Sequence, residues 1–270
     1  MDAIVSFNRD TLAGVPSWIS DADWYDSLYN YGLPAFARPL IDRPISREPI
    51  EADLLCQFVA AFPRANYLEI GTSVGKTFFV VTEYARARLP SARSFTAVDI
   101  ERINPTLAAL LGDAVGPPRE TLAVASRAPP GSLRGQTDVR VTSWEAGGQR
   151  ITYCEGDEFD PAVWEQVKAR VPGGRVQVVF SDALHTPSAL RTEHAFLTEH
   201  DLLDPDGFVY CFDDLDTHEL VEAFRAIAVD LGVRFPALKV TAEILRPNGW
   251  LGQHEYAHNF GVIQCRPRGS

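Results

Sequence analysis

The chain has 270 residues, 46% of them apolar, which is enough for a sizeable core in one α/β domain. Its formal net charge of −11 argues against a nucleic-acid partner, because phosphate binding needs clustered Lys and Arg. No run of about 18 apolar residues predicts a membrane span, and the acidic start from Met1 to Asp10 lacks the apolar centre of a secretion signal, so the expected location is cytoplasmic.

From Ile4 to about Phe62 no good strand is apparent, and Trp18, Trp24, Tyr25, Tyr29, Tyr31 and Phe36 make the segment aromatic. Residues 1–62 are expected to form a helical extension, with Ile50, Leu54, Leu55, Phe58 and Val59 at helical spacing. The extension can act as a lid or form a homodimer contact. From residue 63 strands and helices alternate. Strands are predicted at Tyr67–Ile70, Ser94–Asp99, Ile151–Cys154, Val176–Phe180 and Gly207–Phe212. Helices are predicted at Thr77–Ala87, from Pro105, and at Pro161–Arg170, Ser188–Leu203 and His218–Leu231. This order implies parallel βαβ units. Two strand-like runs close the chain, Leu238–Leu245 and Phe260–Cys265, joined by a Gly-containing loop. Residues 112–148, rich in Gly, Pro, Ser and Arg, read as an insertion after the second strand, with a hairpin expected around Gly147–Gly148. The cysteines show no close pairing, and most lie in apolar stretches, as buried thiols of a reduced compartment do.

Between the first predicted strand and its helix runs Glu69-Ile-Gly-Thr-Ser-Val-Gly75. Glycine here lets backbone approach a ligand, or simply makes a tight turn. A P-loop needs four residues between its first Gly and Gly-Lys, whereas Gly71 and Gly75 enclose three. The dinucleotide fingerprint lacks its middle Gly, since Thr72 and Ser73 stand there. Asp99, ending the second strand, can accept hydrogen bonds from both hydroxyls of a ribose, or cap a helix. Glu155-Gly-Asp157 follows the third strand, where a carboxylate can meet an adenine amino group.

Asp182 and His185 follow the fourth strand, and Asp213 and Asp214 the fifth. If those strands are neighbours, the acids converge at the carboxyl edge, where folds of this type bind ligands. Carboxylates so close repel unless a cation lies between them, and oxygen ligands favour Mg²⁺, Mn²⁺ or Ca²⁺. Alternatively, Asp213 or Asp214 caps the next helix.

Taken in order, Glu69–Gly75, Val98-Asp-Ile100, Gly156-Asp157, Phe180-Ser-Asp182 and Leu203-Asp-Pro-Asp-Gly207 resemble the motifs of class I S-adenosylmethionine-dependent methyltransferases. The acid cluster resembles that of the metal-dependent O-methyltransferases of the catechol and caffeoyl-coenzyme A type and their bacterial natural-product relatives. The resemblance implies a doubly wound Rossmann-like α/β fold with seven strands, mostly parallel, the last antiparallel. It implies S-adenosylmethionine as cofactor, bound by Glu69, Gly71, Ser73, Gly75, Asp99, Asp157 and Asp182. It implies a divalent cation, Mg²⁺ for preference, on Asp182, Asp213 and Asp214, and His185 as general base. The chain departs from the bacterial relatives at Asp182-Ala-Leu-His185, where they carry Asp-Gly-Asp-His.

His254-Glu-Tyr-Ala-His258 spells a zinc-protease signature, which needs a helix so that both histidines share a face. The flanking Gly249, Gly252 and Gly261 oppose a helix, and a loop in which Trp250, His254, Glu255 and His258 line an acceptor pocket suits the context better. The expected function is methyl transfer to an oxygen of a small molecule, with metal assistance. Alternatives are a metal-independent N-, C- or O-methyltransferase, a non-catalytic protein binding an adenosyl ligand, and a zinc hydrolase.

Overall fold

The computed structural model describes residues 4–7, 50–62, 64–128, 138–251, 254–257 and 259–268, with side chains left out at 4–7, 50, 51, 53 and 246–257. Most of the expected N-terminal extension, residues 8–49, therefore lies outside the described residues.

In chain order the strands are β1 (Ile4–Phe7), β2 (Asn66–Ile70), β3 (Ser94–Asp99), β4 (Glu120–Val124), β5 (Val139–Ala146), β6 (Gln149–Glu155), β7 (Val178–Ser181), β8 (Phe208–Phe212), β9 (Leu238–Leu251), β10 (His254–Ala257) and β11 (Phe260–Pro267). The helices are α1 (Ile50–Ala60), α2 (Lys76–Arg88), α3 (Pro105–Val115), α4 (Pro161–Arg170), α5 (Pro187–Glu199) and α6 (His218–Arg234). Several helices announce themselves chemically. Asn104, Asp160 and Thr186 each cap a helix with a side-chain oxygen and precede a proline, whose missing N–H would have had no partner in the first turn. Thr217 caps α6 in the same way, without the proline.

One sheet runs in the order β1-β9-β11-β8-β7-β2-β3-β6-β5-β4, with β10 paired to β9. The central pairs β6–β3, β3–β2, β2–β7 and β7–β8 are parallel, and β11 lies antiparallel between β8 and β9. These seven strands are the expected ones. The sheet is nevertheless wider than seven. The N-terminal segment supplies a strand after all, β1, which pairs in parallel with β9 from Ile4↔Ile244 to Phe7↔Pro247. The 112–148 region adds β4 and β5 on the opposite edge, after α3 has used its first residues. The β5–β6 hairpin turns at Gly147 and Gly148, both with positive φ (60° and 83°), the backbone that a tight two-residue turn requires and glycine supplies.

Every residue of β2, β3, β7 and β8 is buried, as a parallel strand covered on both faces must be. Alternation divides their side chains. Tyr67, Phe95 and Phe180 join one core with Phe78, Phe79 and Leu107 of α2 and α3. Leu68, Val98 and Phe212 join the other with Trp164, Leu197 and Phe224 of α4, α5 and α6. Helices thus cover both faces, leaving the carboxyl ends of the parallel strands open along one edge. All four cysteines are buried thiols.

Candidate active site at the carboxyl edge

Strand order reverses at β2, whose chain goes on to β3 on one side while β7 pairs on the other. Crevices form at such a point because successive crossovers leave in opposite directions. A cavity of about 230 Å³ lies there, lined by the ends of β2 and β3, the β6–α4 turn and the turn after β7.

Gly71, at φ +82°, forms its floor. A Cβ on Gly71 would lie 2.3 Å from the Asp182 carbonyl oxygen and 2.4 Å from Ala183 Cα, so the β2 and β7 turns touch backbone to backbone. Asp99 then fixes the glycine turn. Its Oδ2 accepts the N–H groups of Thr72 and Ser73, each at 2.6 Å, and its Oδ1 accepts that of Glu101 at 2.7 Å. Ser73 sits at φ +49°, uncommon for a residue with a side chain. Successive amides turned inward like this make an anion nest. Here the nest is filled by the protein's own carboxylate, which leaves no place for a phosphate. The ribose contact expected of Asp99 would have to use lone pairs left over from these three bonds.

Asp157, 4% exposed, lines the cavity. Its Oδ1 accepts the Phe159 N–H at 2.9 Å, while the buried Oδ2 has no partner among the described residues. A buried acceptor left open in a cavity wall is costly unless a ligand meets it. Ser73 and Asp182 also line the cavity, as expected. Glu69 and Gly75 do not. Glu69 is buried and accepts the Tyr67 hydroxyl at 2.5 Å. Gly75, at φ +85°, faces Leu107, whose Cδ2 would meet a Cβ at 2.4 Å, so this glycine serves the turn and the seating of α3. Two lining acids escaped the sequence reading, Glu101 and Glu158. Each stands within two residues of an expected acid, and that proximity was the one available signal. Among the described residues every charged one lining the cavity is an acid: Asp99, Glu101, Asp157, Glu158 and Asp182.

Beside the cavity, β7 and β8 are indeed neighbours, with Ser181 opposite Phe212 and the Asp213 N–H bonded to the Ser181 carbonyl at 3.0 Å. Asp182 and Asp214 meet at His185. The imidazole Nε2 lies 3.2 Å from Asp182 Oδ1, and Nδ1 lies 3.6 Å from Asp214 Oδ2. Asp214 sits at φ +46°, and its loop is pinned by Asn259, whose carbonyl accepts the Leu215 N–H at 2.9 Å. The hydrogen bond to Asp182 holds the His185 pKa above its ordinary value, against burial, which lowers it; the Asp182 and Asp214 charges add to the rise.

This arrangement does not fit the expected divalent cation. The imidazole reaches to both Asp182 and Asp214, and among the described residues no group of three His, Cys, Asp or Glu side chains is disposed to hold a metal ion.

The C-terminal signature also departs from expectation. His254–Ala257 is neither helix nor loop but the strand β10, folded back on β9 with Glu255 opposite Trp250. The first four residues of the signature are thus extended, without the helix that would put both histidines on one face. His258 and the side chains of Trp250, His254 and Glu255 lie outside the described residues.

No protein-family model and no curated protein matches the sequence. Solved structures do match. An O-methyltransferase from Bacillus cereus, in complex with SAH, aligns over 91% of this chain and 97% of its own with 15% identity and a TM-score of 0.51. A proposed O-methyltransferase from Klebsiella pneumoniae aligns over 91% and 96% with 16% identity and a TM-score of 0.50. The chain has the fold of the class I methyltransferases. Identity this low speaks for architecture, and the chemistry rests on the site.

Proposed function

We propose that the protein binds S-adenosylmethionine in the carboxyl-edge cavity and transfers its methyl group to an oxygen of a small molecule. One observation carries this reading: a cavity at the strand-order reversal whose charged lining residues, among the described ones, are all acids, with the buried Asp157 Oδ2 left open by them. Such a wall suits a ligand with amino and hydroxyl groups and a positive sulfonium, and it repels pyrophosphate. The Bacillus cereus structure, with SAH bound on the same fold, points the same way.

In the reaction, the cofactor supplies an electrophilic methyl group, and the chain's own residues do the rest. Asp99 holds the glycine turn rigid against the ligand. His185, in its neutral form, accepts the proton of the acceptor's hydroxyl, and Asp182 orients the ring and stabilises the imidazolium that results. With that proton on His185 the acceptor oxygen would be an oxyanion, to which a bound S-adenosylmethionine would supply the methyl group, its sulfur leaving as the neutral thioether. Asp182 lines the cavity and also touches His185, so the base stands at the edge of the cofactor site.

Metal assistance through Asp182, Asp213 and Asp214 is the second reading: the strand ends that carry these acids are neighbours, although the His185 ring would have to turn away from Asp182 and Asp214 before an ion could take its place. Calorimetry with S-adenosylmethionine and with its demethylated product tests the central claim, and no heat with either at millimolar ligand overturns it. Turnover that persists in excess chelator favours His185 alone, whereas turnover restored by Mg²⁺ favours the second reading. Zinc in stoichiometric amount would instead revive hydrolase chemistry.

A further inference from the structure

At the cavity wall and behind it the fold buries a pair of acids, Glu158 and Glu193, that take no part in the proposed proton transfer. Glu193, on α5, is fully buried at 0% exposure. Its carboxyl group is within reach of the Ser181 hydroxyl on β7, the Tyr210 hydroxyl on β8 and the carboxyl of Glu158. Glu158, 7% exposed, is also a cavity-lining residue. Its backbone is fixed from behind, where the Trp164 indole N–H donates to the Glu158 carbonyl at 2.7 Å. Both oxygens of Glu193, Oε1 of Glu158 and the Tyr210 hydroxyl are buried without a completed hydrogen bond among the described residues.

Two facing carboxylates cannot both stay ionised in such a place, and unmet buried acceptors are costly. The charged neighbours do not help. Asp157 and Asp99 act on Glu158, and Asp182 on Glu193, all with the same sign; the basic group acting on Glu158 is His185. One proton shared by the pair removes the conflict. It turns one carboxylate into a donor and satisfies an acceptor on the other. Glu193, the deeper of the two, holds it.

We propose that Glu193 is a positioning residue of the cofactor cavity: a neutral carboxylic acid that hydrogen-bonds Glu158 and keeps the Glu158 carboxylate turned to the ligand, favouring the cationic sulfonium cofactor over its neutral demethylated product. This rests on the adenosyl reading above. A fixed anion in a cavity of low dielectric acts on a ligand charge even without contact, and it has no such hold on a neutral thioether. The wall therefore helps to release the product once the methyl group has gone.

The test is calorimetry with both adenosyl ligands at about pH 8, above the value of about 7 to which burial raises Glu158. Glu193→Gln keeps a donor and should bind both ligands within about 2-fold of the unmodified protein. Glu193→Leu should weaken the sulfonium ligand by about 10-fold and the neutral one by less than about 3-fold. Glu158→Gln, a milder change for the fold, should flatten the preference in the same way. An unchanged preference in Glu158→Gln overturns the proposal, as does Glu193→Gln failing like Glu193→Leu. If the unmodified protein binds neither ligand, the adenosyl reading itself has failed.

Discussion

On the β2–β3 side of the carboxyl edge, one carboxylate, Asp99, accepts three backbone N–H groups at 2.6–2.7 Å and is only 7% exposed. On the β7–β8 side, Asp182, His185 and Asp214 hold one another by side chains alone, at 3.2 and 3.6 Å, with 23–34% of each side chain exposed. The first wall is rigid because backbone amides have nowhere else to go once the turn is made. The second can adjust, because rotating a side chain breaks no backbone bond. The proposed methyl transfer would need both properties: a fixed seat for the cofactor, and a base that can approach the acceptor and carry a proton away. Damage to the first wall should therefore appear as lost folding or ligand affinity, and damage to the second as lost turnover.

The largest effect should come from Gly71→Ala. The added Cβ meets Asp182 and Ala183 backbone at 2.3–2.4 Å in a left-handed conformation. It should destabilise the protein by about 2–5 kcal/mol, read as a fall in the midpoint of urea unfolding. A variant as stable as the parent would mean that the two turns are not in contact.

His185→Gln should lower turnover by about 10²-fold or more, with cofactor affinity nearly unchanged. The pH dependence sharpens this. Asp182 favours the imidazolium, and the proposed proton transfer needs the neutral ring, so the rate should rise with pH through a pKa above the ordinary histidine value. Asp182→Asn removes the charge that raises it and should shift the rising limb to lower pH. If the limb stays where it was, the titrating group is not His185.

Asp99→Asn belongs to the rigid wall. An amide offers one acceptor and sets an N–H₂ against the amides of Thr72, Ser73 or Glu101. A loss of about 1.5–3 kcal/mol in stability is expected, together with weaker cofactor binding in calorimetry. The smallest effect should come from Gly75→Ala, about 1–2 kcal/mol from the left-handed backbone, with ligand affinity intact because this glycine faces Leu107. Reduced affinity at full stability would place Gly75 at the ligand after all.

Much of the architecture was legible in the sequence. Alternating strands and helices, proline-marked caps and Gly147–Gly148 are local signals, because period, capping and backbone freedom are properties of a few consecutive residues. They placed Asp99, Asp157, Asp182, Asp213 and Asp214 at strand ends, and β7 lies beside β8, so that Asp182 and Asp214 both reach His185. What a carboxylate does at such an end was not legible, because it depends on neighbours far along the chain. Asp99 is taken up by a turn 26 and 27 residues earlier, His185 reaches both Asp182 and Asp214 where an ion was expected, and Glu158 gains its meaning from Glu193 on another element. The same holds for β1, a four-residue segment too short to carry a period and made a strand by the edge of β9. Sequence set the elements and the chemistry available at their ends, since both follow from local composition. Only the tertiary structure decided which of those groups face a ligand, because hydrogen bonding and burial between distant residues exist only once the chain has folded.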